Sequence, residues 1–327
     1  MVIETSSRLT GGKQEKWTAF LQNSGLFPGE PVQTTVLIWE GDELIATGSR
    51  QDNVLKYIAV DPLHRGEDLT ASLLSALRQD AFHAGHSHLF LYTKPENELM
   101  FSSLFFYPIA KTDQVLLMEN RQNGIKNFLN NMQVTPVAGK VGGLVMNCNP
   151  FTKGHRYLIE TAAKECDWVY VFVLSEDKSE FPAKDRMEMV KLGTQDLKNV
   201  TVLPTGPYLI SSATFPTYFL KDRENATQIQ CRLDLEIFAQ YYADKFSITH
   251  RYVGTEPLSP LTNLYNQALR AYLPGKGIEL REIPRLENNG TPVSATNVRK
   301  NLCDPDVLKT LVPETTYKYL QDNDLLK

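Results

Sequence analysis

The stretch VGGLVMNCNPFTKGHRYLI, residues 141–159, decides the fold of the larger part of this chain. Residues 142–146 form a short apolar run bounded by turn-forming residues, as is typical of a buried parallel strand. A turn rich in Asn and Pro follows at residues 147–150, and from residue 155 onward apolar side chains recur at the spacing of a helix. The stretch therefore predicts a strand, a turn and a helix.

Gly154 and His155 stand at the start of that helix, where main-chain N–H groups have no partner within the helix. These N–H groups and the positive end of the helix dipole attract phosphate. A histidine at this place can donate a hydrogen bond to a phosphate oxygen. The order strand, turn, Gly-His, helix predicts a nucleotide site.

Downstream of this unit, segments typical of strands and helices alternate to the end of the chain. We expect strands at residues 168–174, 200–203, 248–253 and 278–283, and helices at residues 185–192, 235–242, 264–272 and 296–302. This alternation predicts the α/β class with a Rossmann-like, doubly wound parallel sheet, in which ligands bind at the carboxyl ends of the strands.

Two of the turns at that edge carry charged or glycine-containing sequences. Lys184 and Arg186, at the start of the second predicted helix, could offset the charge of a triphosphate. Gly254 permits close approach of main chain, and Glu256 could bind a ribose hydroxyl or a metal. A turn glycine followed by a capping carboxylate is an alternative explanation of that pair.

The last of these turns reads TPVSATNVRK, with Ser294 and Thr296 at a helix start and Arg299 one turn inside. Its hydroxyls, main-chain N–H groups and guanidinium can converge on one anion. N-capping explains Ser294 or Thr296 singly. N-capping does not explain why residues that can bind an anion stand at the starts of two helices of the same predicted sheet domain.

The first part of the chain has a different organisation. We expect a helix at residues 13–21, strands at 34–39 and 43–50 joined by a hairpin at 41–42, strands at 54–60, 89–92 and 114–118, and helices at 69–77 and 101–106. This α+β pattern resembles the acetyltransferase (GNAT) superfamily, which binds acetyl-CoA through a loop R-G-x-G-x-G/A. Only Arg65-Gly66 matches that loop, because Asp68 and Thr70 replace its other glycines. This departure fits a domain that keeps the acetyltransferase fold but does not catalyse acetyl transfer.

The length of 327 residues fits two domains, which we place at residues 1–120 and 138–327 with a polar linker at 121–137. A net charge of −4 does not favour nucleic-acid binding, and no apolar run has the length of a signal peptide or a membrane span. The four cysteines are scattered, which fits reduced thiols. We therefore expect a cytoplasmic protein without membrane contact.

Taken together, the motifs GGLVMNCNPFTKGH and VSATNVR resemble the nucleotidylyltransferase superfamily, whose signatures are H-x-G-H and I-S-S-T-x-x-R. Thr152 stands at the place of the first histidine. With VGTEPLSPLTNLYNQAL, PTGPYLISSATFPTYFLK and the GNAT-like first part, almost the whole chain resembles the citrate lyase ligase family.

This resemblance implies an acid-thiol ligase that uses ATP. Acetate would attack the α-phosphate to give acetyl-adenylate and pyrophosphate. The thiol of the CoA-like prosthetic group on the citrate lyase acyl carrier subunit would then take the acetyl group. Mg²⁺ would be bound mainly through the ATP phosphates, without ligands from the protein. The catalytic residues implied are His155, Thr152, Lys184 and Arg186, and the nucleotide-binding residues are Asn147, Asn149, Phe151, Gly154, Gly254, Glu256, Ser294, Thr296 and Arg299.

Three alternatives remain open at this point. The same motifs serve an adenylyltransferase that acts on a phosphate-bearing substrate. A ligase that activates acetate for a tRNA base shares the N-P-F-x-x-G-H turn, although the acidic total charge does not favour tRNA. A nucleotide-sensing module without catalysis is the third. For the GNAT-like domain, we hypothesise that it docks the CoA-like prosthetic group.

Overall fold

The structure is a computed structural model of the full chain. It describes residues 1–209, 215–221, 225–256, 260–288 and 290–326. The motif at 207–221 and the motif that begins at 253 thus lie partly outside the described residues.

The chain divides into two compact units. The first comprises Met1–Gly124 and Thr214–Leu233, and the second comprises Ile125–Ala213 and Asp234–Lys327. The boundaries drawn from the sequence, at residues 120 and 138, stay predictions.

The first unit is a mixed sheet with helices. In chain order its elements are β1 (Val2–Ser6), α1 (Gly11–Asn23), β2 (Thr34–Glu40), β3 (Glu43–Gln51), β4 (Val54–Val60), α2 (Leu69–His83), β5 (Phe90–Thr93), α3 (Glu98–Ser103), β6 (Tyr107–Lys111) and β7 (Leu116–Glu119). Within residues 1–124, all of which the structure describes, the strand order is β1-β2-β3-β4-β5-β7-β6. All neighbours are antiparallel except β4 and β5.

Local sequence explains these elements well. Gly41 adopts a positive φ of 56° in the turn between β2 and β3, a conformation that glycine adopts without strain. The apolar face of α2, which includes Leu73 and Leu77, packs against the sheet and is fully buried. The hairpin and the leucine-bearing helix predicted from the sequence are both confirmed.

The second unit alternates strands and helices. Its elements are α4 (Gly124–Asn130), β8 (Val141–Met146), α5 (Lys153–Glu165), β9 (Trp168–Val173), α6 (Ala183–Thr194), β10 (Val200–Pro204), α7 (Ala226–Ile237), β11 (His250–Gly254), α8 (Pro260–Tyr272), β12 (Glu279–Ile283), β13 (Glu287–Asn288), β14 (Thr291–Pro292), α9 (Ala295–Lys300), α10 (Pro305–Leu311) and α11 (Glu314–Asp322). Two of these helices cross the boundary between the units, because Gly124 of α4 and residues 226–233 of α7 belong to the first unit.

The main sheet of this unit is parallel throughout its described strands, in the order β10-β9-β8-β11-β12. The order reverses between β8 and β11, which is where ligands bind in doubly wound sheets. β8 pairs with β9 along its whole length but with β11 only at Gly142 and Gly143, so the sheet opens toward its carboxyl edge. The predicted α/β fold class is confirmed.

Several elements differ from the prediction. The helix expected at 101–106 begins at Glu98 and ends at Ser103, because Phe105 adopts a positive φ of 61°. β1 and β6, which carry exposed residues, were not predicted, and neither were the terminal helices α10 and α11. None of the helices among the described residues combines the length and apolar character needed to cross a lipid bilayer.

Candidate functional site

The candidate site lies at the carboxyl edge of the parallel sheet in the second unit. It is built from the turn after β8, the start of α5, the ends of β11 and β12, and the segment that leads into α9. These segments are distant in sequence, and the parallel strand order brings their ends to one edge.

His155 is fixed by hydrogen bonds within the start of α5. Thr152 is the N-cap: its hydroxyl accepts a hydrogen bond from the His155 main-chain N–H at 3.2 Å. In return, the Thr152 main-chain N–H donates to Nδ1 of His155 at 3.1 Å. This reciprocal pair is a capping box in which histidine takes the place usual for Glu or Gln.

The same contacts fix the protonation of the imidazole. Burial, with a smaller contribution from the positive charge of Arg285, lowers the pKa of His155 to about 4. The ring is therefore neutral near pH 7. Because Nδ1 accepts from the Thr152 N–H, the single ring proton is on Nε2. His155 thus presents a neutral N–H donor whose orientation is set by the helix start.

The two anion-binding motifs predicted from the sequence are in contact. A Cβ atom added to Gly154 would lie 3.1 Å from the main-chain oxygen of Val293, so the start of α5 approaches the segment before α9 closely. Arg299 also joins the motifs, because its Nη1 donates to the main-chain oxygen of Asn149. Its Nη2 donates to the Thr296 hydroxyl at 3.1 Å. The structure therefore brings residues 149–155 and 293–299 together.

Ser294 caps α9, and its hydroxyl oxygen accepts from the Asn297 main-chain N–H at 3.1 Å. The hydroxyl proton remains able to donate, since a serine hydroxyl can accept and donate at once. Thr296 is exposed, and the side chain of Arg299 is partly exposed with Nε 3.7 Å from a Glu180 carboxylate oxygen. This segment can offer hydroxyl and guanidinium donors to an anion.

Arg285 is a cation in the site that the sequence analysis did not identify. It follows β12 by two residues, and its Nε donates to the Thr255 main-chain oxygen at 2.9 Å. Its Nη2 forms an ion pair with Glu256. Glu256, predicted to bind a ribose hydroxyl or a metal, is thus engaged by a guanidinium. The position of Arg285 at the carboxyl end of a parallel strand was the signal that could have revealed it.

Arg186 lies elsewhere than predicted. It is 0% exposed, and burial lowers the pKa of its guanidinium. Within the described part of the chain, its N–H groups donate to the main-chain oxygens of Phe181, Asn147, Leu174 and Glu176 and to the Asn147 side-chain oxygen. A guanidinium saturated by these oxygens cannot also bind phosphate without breaking them. The prediction of a phosphate-facing cation is therefore corrected to an arginine that ties together the loops after β8 and β9.

Two further predicted residues are also buried behind the site. Thr152 is 1% exposed and Phe151 is 0% exposed. The Phe151 ring stacks on the His155 ring, with centroids 6.0 Å apart, and on its other side contacts α6 at Gly193, where a Cβ would overlap it. Both residues contact His155, and their burial leaves little of either side chain exposed to the crevice.

The remaining predicted residues occupy the surface of the crevice or its border. Asn147 is exposed, and its Nδ2 donates to the Ser179 hydroxyl at 3.1 Å. The side-chain oxygen of Asn149 accepts from the Phe181 main-chain N–H at 3.0 Å. Lys184 is exposed near the start of α6. A Cβ added to Gly254 would meet open space.

Among the described residues, no group of three or more His, Cys, Asp or Glu side chains could hold a metal ion. The groups gathered at the edge are instead hydrogen-bond donors and cations. Such a set can bind and neutralise a polyphosphate whose own oxygens carry the metal.

Comparisons with known proteins agree with this chemistry. The sequence model of a family described as "Citrate lyase ligase C-terminal domain" matches residues 141–320. A "[Citrate [pro-3S]-lyase] ligase" of Klebsiella pneumoniae is 40% identical over 316 residues, which cover 94% of this chain and 92% of the relative. The protein of the same name from Escherichia coli (strain K12) is 38% identical over 319 residues, which cover 95% of this chain and 91% of the relative. Among solved structures, Thermotoga maritima TmcAL bound with alpha-thio ATP is 16% identical, with a TM-score of 0.35 and coverage of 57% of this chain and 56% of its own.

Proposed function

The chain belongs to the citrate lyase ligase family, and we propose on this premise that it activates citrate lyase by ATP-dependent acetylation of the lyase's acyl carrier subunit. It is an enzyme of the acid-thiol ligase kind. In the first half-reaction, a carboxylate oxygen of acetate attacks the α-phosphorus of ATP, and the bond to the leaving pyrophosphate breaks. In the second, the thiol of the carrier's CoA-like prosthetic group attacks the acetyl carbonyl, and AMP leaves as the thiol proton is lost.

The observation that carries this proposal is the contact between the two anion-binding motifs around a neutral His155. In the adenylation step, negative charge moves onto the pyrophosphate and builds up on the oxygens of the α-phosphorus. A fixed Nε2–H donor stabilises that charge without any proton transfer. Because the capping box holds the ring before ATP binds, little reorganisation is required as the charge develops.

The cations have separate tasks in this scheme. Arg299, fixed by the Asn149 carbonyl and the Thr296 hydroxyl, binds the β- and γ-phosphates together with the Ser294 hydroxyl. Arg285 adds positive charge beside His155, and Lys184 extends the basic surface at the start of α6. Mg²⁺ would be held mainly by the ATP phosphates and would offset part of their charge. No described cluster of side chains provides a site for it in the absence of the nucleotide.

A single assay tests this function. The purified full chain is incubated with ATP, Mg²⁺ and labelled pyrophosphate, with and without acetate. Acetate-dependent exchange of label into ATP is expected, because the adenylation step is reversible and does not need the thiol. Exchange without acetate, or formation of an adenylylated product in place of AMP when the carrier is added, contradicts the proposal.

A further inference from the structure

Arg156 follows His155 directly in α5, and its side chain joins α5 to the end of α6. Nη1 and Nη2 donate to the two carboxylate oxygens of Asp196 at 2.6 and 2.7 Å. Nη1 also donates to the main-chain oxygen of Gly193, in the last turn of α6. Nε donates to a carboxylate oxygen of Glu160, one turn further along α5, at 2.6 Å. The guanidinium is thus fixed between the two helices.

The geometry of this contact makes it more specific than a single surface ion pair. A guanidinium and a carboxylate that meet through two parallel hydrogen bonds fix each other's orientation. Hydrogen bonds from Arg156 hold the pKa of Asp196 below its ordinary value, so the carboxylate stays charged near neutral pH. The bond to Gly193 also satisfies a carbonyl at the end of a helix, where partners within the helix are lacking. Arg156 therefore fixes the last turn of α6 against α5.

The last turn of α6 lies directly behind the ring on which His155 stacks. A Cβ added to Gly193 would lie 2.3 Å from Cε1 of Phe151, so the main chain of α6 leaves no room for a side chain there. Phe151 is 0% exposed, and its ring plane is inclined by only 14° to that of His155. The contact made by Arg156 thus reaches the imidazole through Gly193 and Phe151.

This stack controls a motion of the imidazole that the capping box leaves free. The hydrogen bond from the Thr152 main-chain N–H fixes Nδ1, but the ring can still tilt about that atom. A parallel ring packed against its face restricts this tilt. The direction of the Nε2–H bond depends on the tilt, and a donor stabilises developing charge only when it points at the oxygen that receives the charge. The packing of Phe151 therefore determines how well His155 can act.

We infer that Arg156 is a positioning residue for His155: by joining the last turn of α6 to α5, it keeps Phe151 packed against the imidazole. The inference deepens the proposed function and rests on it for the reaction that His155 serves. The alternative is an ion pair with a structural role only. Such a pair would contribute to stability and leave the imidazole unchanged.

The first measurement is the NMR spectrum of the His155 imidazole in the full chain, recorded without ATP. Histidine is labelled with ¹⁵N, and the His155 signals are identified by their absence in His155→Gln. Arg156→Met is expected to shift or broaden the His155 Nε2–H signal. Arg270→Met is the matched control, because it breaks a bidentate ion pair of the same kind with Glu282, between α8 and β12. An unchanged His155 signal in Arg156→Met overturns the inference, and so does an equal change in the control.

The second measurement is acetate-dependent ATP–pyrophosphate exchange. Arg156→Met is expected to lower kcat about tenfold and to change the KM for ATP less than about twofold, because the groups at residues 294–299 that bind phosphate are untouched. The control is expected to change neither. A raised KM for ATP with an unchanged kcat in Arg156→Met would show that Arg156 does not act through His155.

Gly193→Ala tests the same contact without breaking the ion pair, and it decides the question if Arg156→Met does not fold. Its Cβ must displace the buried Phe151 ring, so the His155 signal and kcat are expected to change as in Arg156→Met. If both stay unchanged, Phe151 does not carry the effect and the inference is wrong. Absence of exchange in the unsubstituted protein contradicts only the proposed function, since the imidazole signal is recorded without ATP.

Discussion

Replacing His155 by alanine tests the adenylating site most directly. The substitution removes the Nε2–H donor, and loss of one donor to developing charge costs about 3–4 kcal/mol in the transition state, which is about 10²- to 10³-fold in rate. It also removes the acceptor for the Thr152 N–H, and loss of such a helix cap costs about 1 kcal/mol of folding stability. The expected result is a large loss of exchange with a small loss of stability.

The matched control is Thr152→Val. This variant loses the hydroxyl that accepts from the His155 main-chain N–H. It keeps the main-chain N–H of residue 152, which donates to Nδ1 of His155. We expect a similar loss of about 1 kcal/mol in stability, with exchange reduced no more than about tenfold. Both variants are measured by acetate-dependent ATP–pyrophosphate exchange and by urea unfolding.

Two results would refute this reasoning. If His155→Ala retains near-normal exchange, the imidazole does not stabilise the reacting phosphate. If Thr152→Val loses as much exchange as His155→Ala, the helix cap and not the Nε2–H donor accounts for the effect.

Three other predictions follow from the same contacts. The pKa of His155 is about 4 in the folded state and 6.5 in the unfolded state, so the unfolded chain binds the extra proton first as the pH falls. The unfolding free energy should therefore fall between pH 6.5 and 4, by at most about 3.4 kcal/mol. Urea titrations should show that His155→Gln lacks this pH-dependent contribution. Gly154→Ala should lower exchange about tenfold, because its Cβ meets the Val293 oxygen, while thermal unfolding changes little, because alanine favours the helix. Arg186→Met should lower the unfolding free energy by about 3 kcal/mol or more, because it breaks a buried hydrogen-bond network. Arg299→Met should mainly raise the KM for ATP. A raised KM for ATP with normal stability in Arg186→Met would instead show that Arg186 binds phosphate.

Much of the fold could be predicted from the sequence, because its strands and helices are marked by apolar periodicity. Residues 54–60 and the helix beginning near Gly154 are where the pattern places them. β6 was missed because its five residues, which include Pro108, show no strand pattern, and only pairing with β7 makes it a strand. The terminal helices gave no pattern strong enough to be read from the sequence alone.

For the site, the sequence could indicate residue types but not which way each side chain turns. Arg186 lies in the first turn of α6 and is enclosed by main-chain oxygens, whereas Arg299 lies in the last turn of α9 and is partly exposed. That difference is set by contacts with loops far away in sequence. Arg285 escaped prediction for a related reason, since a single arginine after a strand matches no motif until the strand order places it beside His155.

The hydrogen bond from Arg299 to the Asn149 carbonyl joins residues 150 positions apart. During synthesis, residue 149 leaves the ribosome long before residue 299. The contact between the two motifs therefore cannot form until nearly the whole chain has been synthesised. Domains fold as units once their sequence has emerged. A nascent chain that ends before residue 299 therefore lacks the hydrogen bond that joins the two motifs of the site.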